Sequence, residues 1–244
     1  MRDSLYHFIV GALDLFLWGG ELIGEENLPQ KGPAVFIANH LDATGPIACS
    51  CSIPFRLYPW AEGEMMDPEK APAYINWDFT ERQLHLKPPL SLWFSRLLTK
   101  VTVPMFWSLG CIPVYRGDYE RMKDTLRLSM NILQQGKFLL VFPEDNFSME
   151  KKDKQTQMNP FLHTFARLGE RYHAETGERL AFYPLVVHQK GVVQVGQPVL
   201  FNPLNPVGVE RQRLKGMMES EVAGMYLKLS GQTGEVGTLT PERK

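Results

Sequence analysis

Three short polar clusters close otherwise apolar runs in this chain, and each holds side chains able to do chemistry. FIANHLDATGP, Phe36 to Pro46, ends in Asn39-His40 with Asp42 two residues on. GCIPVYRG, Gly110 to Gly117, ends in Arg116, and KFLLVFPED, from Lys137, ends in Glu144-Asp145. Histidine is the side chain that titrates near neutrality, so an imidazole at the mouth of a buried strand can take a proton from an alcohol. A nearby carboxylate would fix its tautomer, and Asp42 is the only acid within a few residues of His40. The planar fork of Arg116 suits a phosphate. Each cluster also has a plainer reading. Asn-His can cap a helix, a strand-end arginine can be solvated or paired, and Glu144-Asp145 can be a turn. A third chemistry takes His40, Asp42 and Asp145 as metal ligands of a hydrolase, completed by His188 or Glu144.

Strand ends must be brought together for any of this to work. AVFIAN, KFLLVF and LAFYPLVV are continuous apolar runs of the kind found in buried parallel strands. Between them lie helical patterns. In DYERMKDTLRLSMNILQQG, Met122, Leu126, Met130 and Leu133 form one apolar stripe, with Gly136 as the stop. FLHTFARLGERYHAETG reads as a helix ending at Gly177, and Val209 to Lys228 as a charged helix. VVQVGQPVLF adds a late strand. PPLSLWFSRLLTKVTVPMFW is an amphipathic helix candidate with Arg96 and Lys100 among its leucines. Pro54 to Pro89 is rich in Pro, Trp and acids without a clear period, and reads as an irregular insertion or lid. Alternating strands and helices predict an α/β fold: a single domain with a central, mostly parallel sheet flanked by helices. In such sheets function collects where strands end.

The 244 residues suit one such domain, and 44% hydrophobic with 22% charged is ordinary globular composition. A formal net charge of -1 argues against a nucleic-acid partner. Cys49, Cys51 and Cys111 make no disulfide framework and no metal-ligand spacing, so buried thiols are expected. Leu5 to Gly20 is apolar but broken by Asp14 and short of the roughly 20 apolar residues a membrane span needs. It reads either as an interfacial helix with Phe8, Leu13, Phe16, Leu17 and Trp18 toward lipid, or as a helix on the protein's own core. The expected organisation is an N-terminal apolar helix over 1–20, the α/β domain over 21–230 and a flexible tail over 231–244.

Taken in order, these motifs resemble the glycerolipid acyltransferase family, whose best-known members acylate lysophosphatidic acid. NHLDATGP matches the family's first motif at Asn39, His40 and Pro46. GCIPVYR matches the second at Gly110, Pro113, Val114 and Arg116. FPEDNFS matches the third at Phe142, Pro143, Glu144 and Ser148, and FYPLVV the fourth at Pro184. GEENLPQKGPAVFIANH and VQVGQPV resemble the family's flanking segments, so the likeness runs over roughly residues 20 to 205. It implies O-acyl transfer from an acyl thioester, either acyl-coenzyme A or an acyl carrier protein, to a lipid-like hydroxyl at the cytoplasmic side of the cell membrane. It implies His40 as the base and Arg116 as a phosphate ligand. Asn39, Gly110, Glu144 and Asp145 would belong to the acceptor site. No metal or other cofactor is implied.

Two departures bear on that expectation. Gly45 stands where the family has the aspartate that orients the histidine. Asp42 is then the displaced orienting acid, with Asp145 as another candidate. Asp145, Asn146 and Phe147 replace Gly, Thr and Arg of the third motif. That removes a cation and adds an anion, which favours a neutral, zwitterionic or amine-bearing acceptor over a phosphomonoester. A relative that binds lipid or acyl chains without turnover is the alternative outcome.

Overall fold

The computed structural model describes residues 3–41, 44–82, 84–115, 117–145 and 152–231. The strands are β1 (Glu21–Ile23), β2 (Ala34–Ala38), β3 (Leu57–Glu62), β4 (Ile112–Val114), β5 (Phe138–Val141), β6 (Ala181–His188), β7 (Val192–Val195) and β8 (Val199–Leu200). The helices are α1 (Asp3–Leu13), α2 (Thr44–Ser52), α3 (Gly63–Met66), α4 (Ala71–Ile75), α5 (Leu90–Leu109), α6 (Tyr119–Gln134), α7 (Arg167–Thr176) and α8 (Val207–Ser230). One sheet runs β1-β7-β6-β2-β5-β3-β4, with β8 paired to β6. All neighbours are parallel except β7 and β8, which lie antiparallel to β6. The fold class expected from the alternating pattern is the one observed.

β2 is buried at every position, and its side chains divide between two cores as a period of two dictates. Val35 and Ile37 join Leu139, Val141, Phe182 and Val186 against Leu126, Met130 and Leu133 of α6 and Leu214, Met218 and Val222 of α8. Ala34, Phe36 and Ala38 join Leu140, Leu185 and Val187 on the opposite face, against Ala48 and Cys49 of α2. Layers of helix therefore cover both faces of the sheet.

α6 forms where the stripe predicts. Asp118 caps it, accepting the Arg121 N–H at 3.0 Å, and the chain turns at Gly136 with φ +71°. α7 is shorter than predicted, because His163–Ala166 winds as a tighter 3-10 turn before it, and Gly177 closes it at φ +75°. The late apolar run VVQVGQPVLF is two strands, β7 and β8, divided at Gly196-Gln197-Pro198.

Pro54 to Pro89 requires a correction. It is no irregular insertion: β3 lies within it, between β5 and β4 in the sheet, followed by α3 and α4. Pro59 masks the strand, since proline cannot donate to a ladder. Leu57 and Tyr58 are buried, and Trp60 fixes the strand to α6 by donating its indole N–H to Ser129 Oγ at 2.9 Å.

The N-terminal run is α1 followed by a wide turn over Asp14–Trp18 that stops at Gly19. Tyr6 and Val10 face inward, while Phe8 and Leu15 are exposed. Trp18 is not turned outward as a lipid-facing residue: it donates to Ser52 Oγ at 2.9 Å. The side chains of Phe16 and Leu17 lie outside the described residues, as does the tail after Gly231. Among the described residues no helix is long and apolar enough to cross a membrane.

Candidate active site

β2 and β5 are parallel neighbours with Ile37 opposite Val141. Their carboxyl ends therefore deliver Asn39-His40 and Phe142-Pro143-Glu144-Asp145 to one place on the sheet's edge. Two of the three sequence clusters meet there. β4, which leads to the third, lies on the far side of β3 and ends at the same edge. Arg116 itself and Asp42 lie outside the described residues.

Glu144 joins the two strand ends. It is 1% exposed, and its Oε1 accepts the backbone N–H of His40 at 2.5 Å while its Oε2 accepts that of Asn159 at 2.8 Å. The carboxylate thus holds the chain at His40 through its backbone. The segment after it runs back alongside: Asp145 N–H donates to the Pro160 carbonyl at 2.9 Å and Leu162 N–H to that of Pro143 at 2.8 Å. Asp145 is half-buried beside Glu144.

The His40 ring packs edge-on against Phe142, with centroids 5.2 Å apart and planes at 75°. Phe142 also lines a small, mostly apolar pocket with Trp60, Val114, Met122, Leu162 and Phe165. His40 is half-buried, so the Phe142 ring touches both a half-buried imidazole and an apolar recess.

Asn39 and Gly110, expected among the substrate-binding residues, have structural tasks in the fold. The Asn39 amide is 2% exposed and pairs with β6 as a backbone unit would. Its Oδ1 accepts Val187 N–H at 2.8 Å and its Nδ2 donates to the Val187 carbonyl at 3.0 Å. That pairing extends β2 past its last ladder bond, which is why an asparagine precedes the histidine. Gly110 ends α5 in the left-handed region at φ +83°, and a side chain there would press on the Tyr58 ring at 2.9 Å.

Gly45 sits in the first turn of α2, its N–H bonded to the Leu41 carbonyl at 3.0 Å. A first side-chain carbon at this position would lie 3.6 Å from the Asn39 carbonyl oxygen, 3.7 Å from the Phe142 ring and 3.9 Å from the His40 carbonyl carbon. Those are ordinary contact distances. The glycine is therefore not required by space, and the position faces the residues that flank the imidazole.

The metal reading finds no support where it can be checked. His188 Nδ1 accepts the Lys190 N–H at 3.1 Å and its Nε2 lies 3.0 Å from Ser230 Oγ, a pattern that fits a neutral imidazole donating from Nε2. Burial, and then the neighbouring Lys190 charge, push its pKa down. Among the described residues no group of three His, Cys, Asp or Glu side chains could hold a metal ion. The cysteines are free; burial raises Cys111 to about 12 and Cys51 to about 11, so neither is a ready nucleophile.

Sequence reasoning missed the return segment that contains Asn159 and Phe161, because a backbone amide carries no side-chain signature. It also missed Thr125, whose hydroxyl donates to the Pro113 carbonyl at 2.6 Å and holds β4 to α6.

No family model matches this chain, and no curated protein matches its sequence. Its structure is similar to the crystal structure of the 1-acyl-sn-glycerophosphate (LPA) acyltransferase PlsC from Thermotoga maritima, with a TM-score of 0.52 at 13% identity. The superposition covers 96% of this chain and 85% of that one. This chain has the α/β fold of that acyltransferase.

Proposed function

We propose that this protein transfers an acyl group from a thioester to a lipid-like hydroxyl at the carboxyl edge of the sheet. The observation that carries this reading is the placement of His40: a half-buried imidazole fixed through its own backbone by Glu144 and packed against Phe142. His40 takes the proton of the acceptor hydroxyl. The acceptor oxygen then attacks the thioester carbonyl carbon, the C–S bond breaks, and the departing thiolate takes the proton back from the imidazolium. Asp42 is the positioning acid, Arg116 a cation for the acceptor, and the apolar pocket behind Phe142 a place for acyl-chain carbons. The donor is acyl-coenzyme A or acyl carrier protein. Asp145 beside the site favours acceptors without a phosphomonoester, and the work is done on the cytoplasmic side of the cell membrane by a peripherally attached protein.

The test measures thiol release and ester product from each donor against lysophosphatidic acid and neutral acceptors. His40→Ala is expected to abolish product, Asp42→Asn to weaken it, and neutral acceptors to outrun lysophosphatidic acid. Turnover that survives His40→Ala removes the base from the scheme. A clear preference for lysophosphatidic acid removes the acceptor assignment.

One feature favours a second reading. Gly45 supplies no carboxylate where the sequence resemblance expects one, which suits a protein that binds acyl chains or lipid without turning them over. Ligand binding with no product from any donor would establish it.

A further inference from the structure

α5 is amphipathic in the reverse of the usual sense. Its inward residues are Ser91, Ser95, Thr99 and Val103, all buried. The three hydroxyls are satisfied locally: Ser91 donates to Glu81, and Ser95 and Thr99 to the carbonyls of Leu92 and Arg96. Its outward residues are the large apolar ones. Leu90, Trp93, Leu97, Val101 and Trp107 recur at helical spacing and are 48% to 64% exposed. A helix facing water places serine and threonine outside and leucine and tryptophan inside. α5 does the opposite, so its outer face is built for apolar surroundings.

Charge decides which surroundings. Arg96 and Lys100 are the only charged residues of α5, and both are exposed. Lys100 lies midway between Trp93 and Trp107, seven residues from each, close to one line along the helix. The approach to α5 adds exposed Lys87, and nearby Trp77 is also exposed, while Asp78 and Arg82 pair with each other. A second copy of this chain on the same face would set these cations against their own counterparts. Tryptophans interleaved with lysine and arginine suit the headgroup level of a bilayer, where rings sit among the headgroups and cations meet anionic lipid. A span is excluded, since α5 is not apolar enough to cross.

We propose that the outer face of α5 is a membrane-docking surface: the helix lies in the plane of an anionic bilayer, with Leu97 and Val101 toward the acyl chains and Trp93, Trp107, Arg96 and Lys100 at the headgroups. It accompanies the reading of a lipid-like acceptor, and its test does not depend on turnover.

The experiment is flotation of the full chain with phosphatidylcholine vesicles, with and without phosphatidylglycerol. Binding is expected to need the anionic lipid and to fall with salt. Trp93→Ser with Leu97→Ser, and separately Arg96→Glu with Lys100→Glu, are each expected to weaken partition about tenfold or more. Phe8→Ser on α1 is expected to change it less. These side chains face outward, so circular dichroism and the melting temperature should stay as in the unaltered protein. The proposal is overturned if both α5 variants bind like the unaltered chain, or if Phe8→Ser alone removes binding. It is equally overturned if the chain is a dimer that the α5 variants convert to monomer, since the face would then meet a second copy. Loss of vesicle binding with acyl transfer intact on soluble acceptors leaves the catalytic reading standing. Vesicle binding without any turnover leaves the docking surface standing alone.

Discussion

The Glu144 carboxylate reaches across from β5 to accept the backbone N–H of His40 at 2.5 Å, so the residue that closes one strand fixes the start of the loop leaving the next. Its second oxygen holds Asn159, and three separate segments converge on one buried acid. A buried carboxylate is stable in such a place because backbone amides satisfy it. The path of the backbone at His40 is set by this arrangement.

Glu144→Gln keeps the volume but offers one acceptor oxygen in place of two, and turns an NH2 toward an amide that needs an acceptor. A loss of about 1–3 kcal/mol in unfolding free energy is expected. Turnover should fall by more than that stability loss explains, since His40 would be released from its place. Denaturant melts beside initial rates at a temperature where both proteins are folded would separate the two effects. Unchanged rates would assign Glu144 to folding alone.

Asn39 makes a second prediction of the structural kind. Asn39→Ala leaves the Val187 N–H and carbonyl without their partners in a buried setting. About 2–3 kcal/mol of destabilisation is expected from two orphaned backbone groups. Asn39→Asp should be at least as damaging, because a carboxylate cannot donate to the Val187 carbonyl. The readout is the denaturation midpoint of each variant against the unaltered chain.

Much of this was legible in the residues. The apolar runs of β2, β5 and β6 and the stripe of α6 each report their own periodicity, so the sheet and its order of helices could be anticipated. β3 could not, because Pro59 and the surrounding Trp and Glu residues break the strand signal while tertiary pairing with Phe138–Leu140 still forms it. The structural tasks of Asn39 and Gly110 are hidden for a related reason. A motif position shows which residue is needed, not whether a ligand or the fold needs it, and here the fold uses Asn39 for a ladder bond and Gly110 for a helix stop. α5 was recognised as amphipathic from spacing, but only burial shows that its polar side is the inner one.

Glu210 supplies a pH dependence with a definite sign. Its side chain is fully buried at the start of α8, where it accepts from Arg213 at 2.6 Å and 2.8 Å, from Asn205 at 2.7 Å and from the Asn202 N–H at 2.8 Å. Burial alone would raise its pKa, but the donors from Arg213, Asn202 and Asn205 outweigh burial and hold it below the ordinary 4.5. The unfolded chain then binds more protons between the two values, so stability rises with pH there. The contribution is present above about 4.5 and is lost as pH falls through the lower folded value. Glu210→Gln should be less stable at pH 7, and its deficit should shrink as the pH is lowered below about 4.5. Parallel curves of unfolding free energy against pH would show that folding leaves the pKa of this acid unchanged.

Gly45→Asp tests the departure that separates the two readings of this protein. The first side-chain carbon fits at ordinary contact distances, and the position lies beside the His40 backbone and the Phe142 ring. A carboxylate there can orient the imidazole and stabilise its charged form. In the serine-protease triad, replacing the orienting aspartate by asparagine lowers kcat by about 10⁴, which sets the ceiling for what a restored acid could return. If Asp42 already orients His40, Gly45→Asp should change turnover by less than about tenfold, and Asp42→Asn should weaken it. If Asp42 does not, Gly45→Asp should raise kcat by well over tenfold with little change in KM. Gly45→Ala is the control, adding the carbon without the acid, and should leave turnover unchanged while the helix gains slightly in stability. A gain shared by Gly45→Ala would place the effect in the rigidity of α2 rather than in an acid acting on His40.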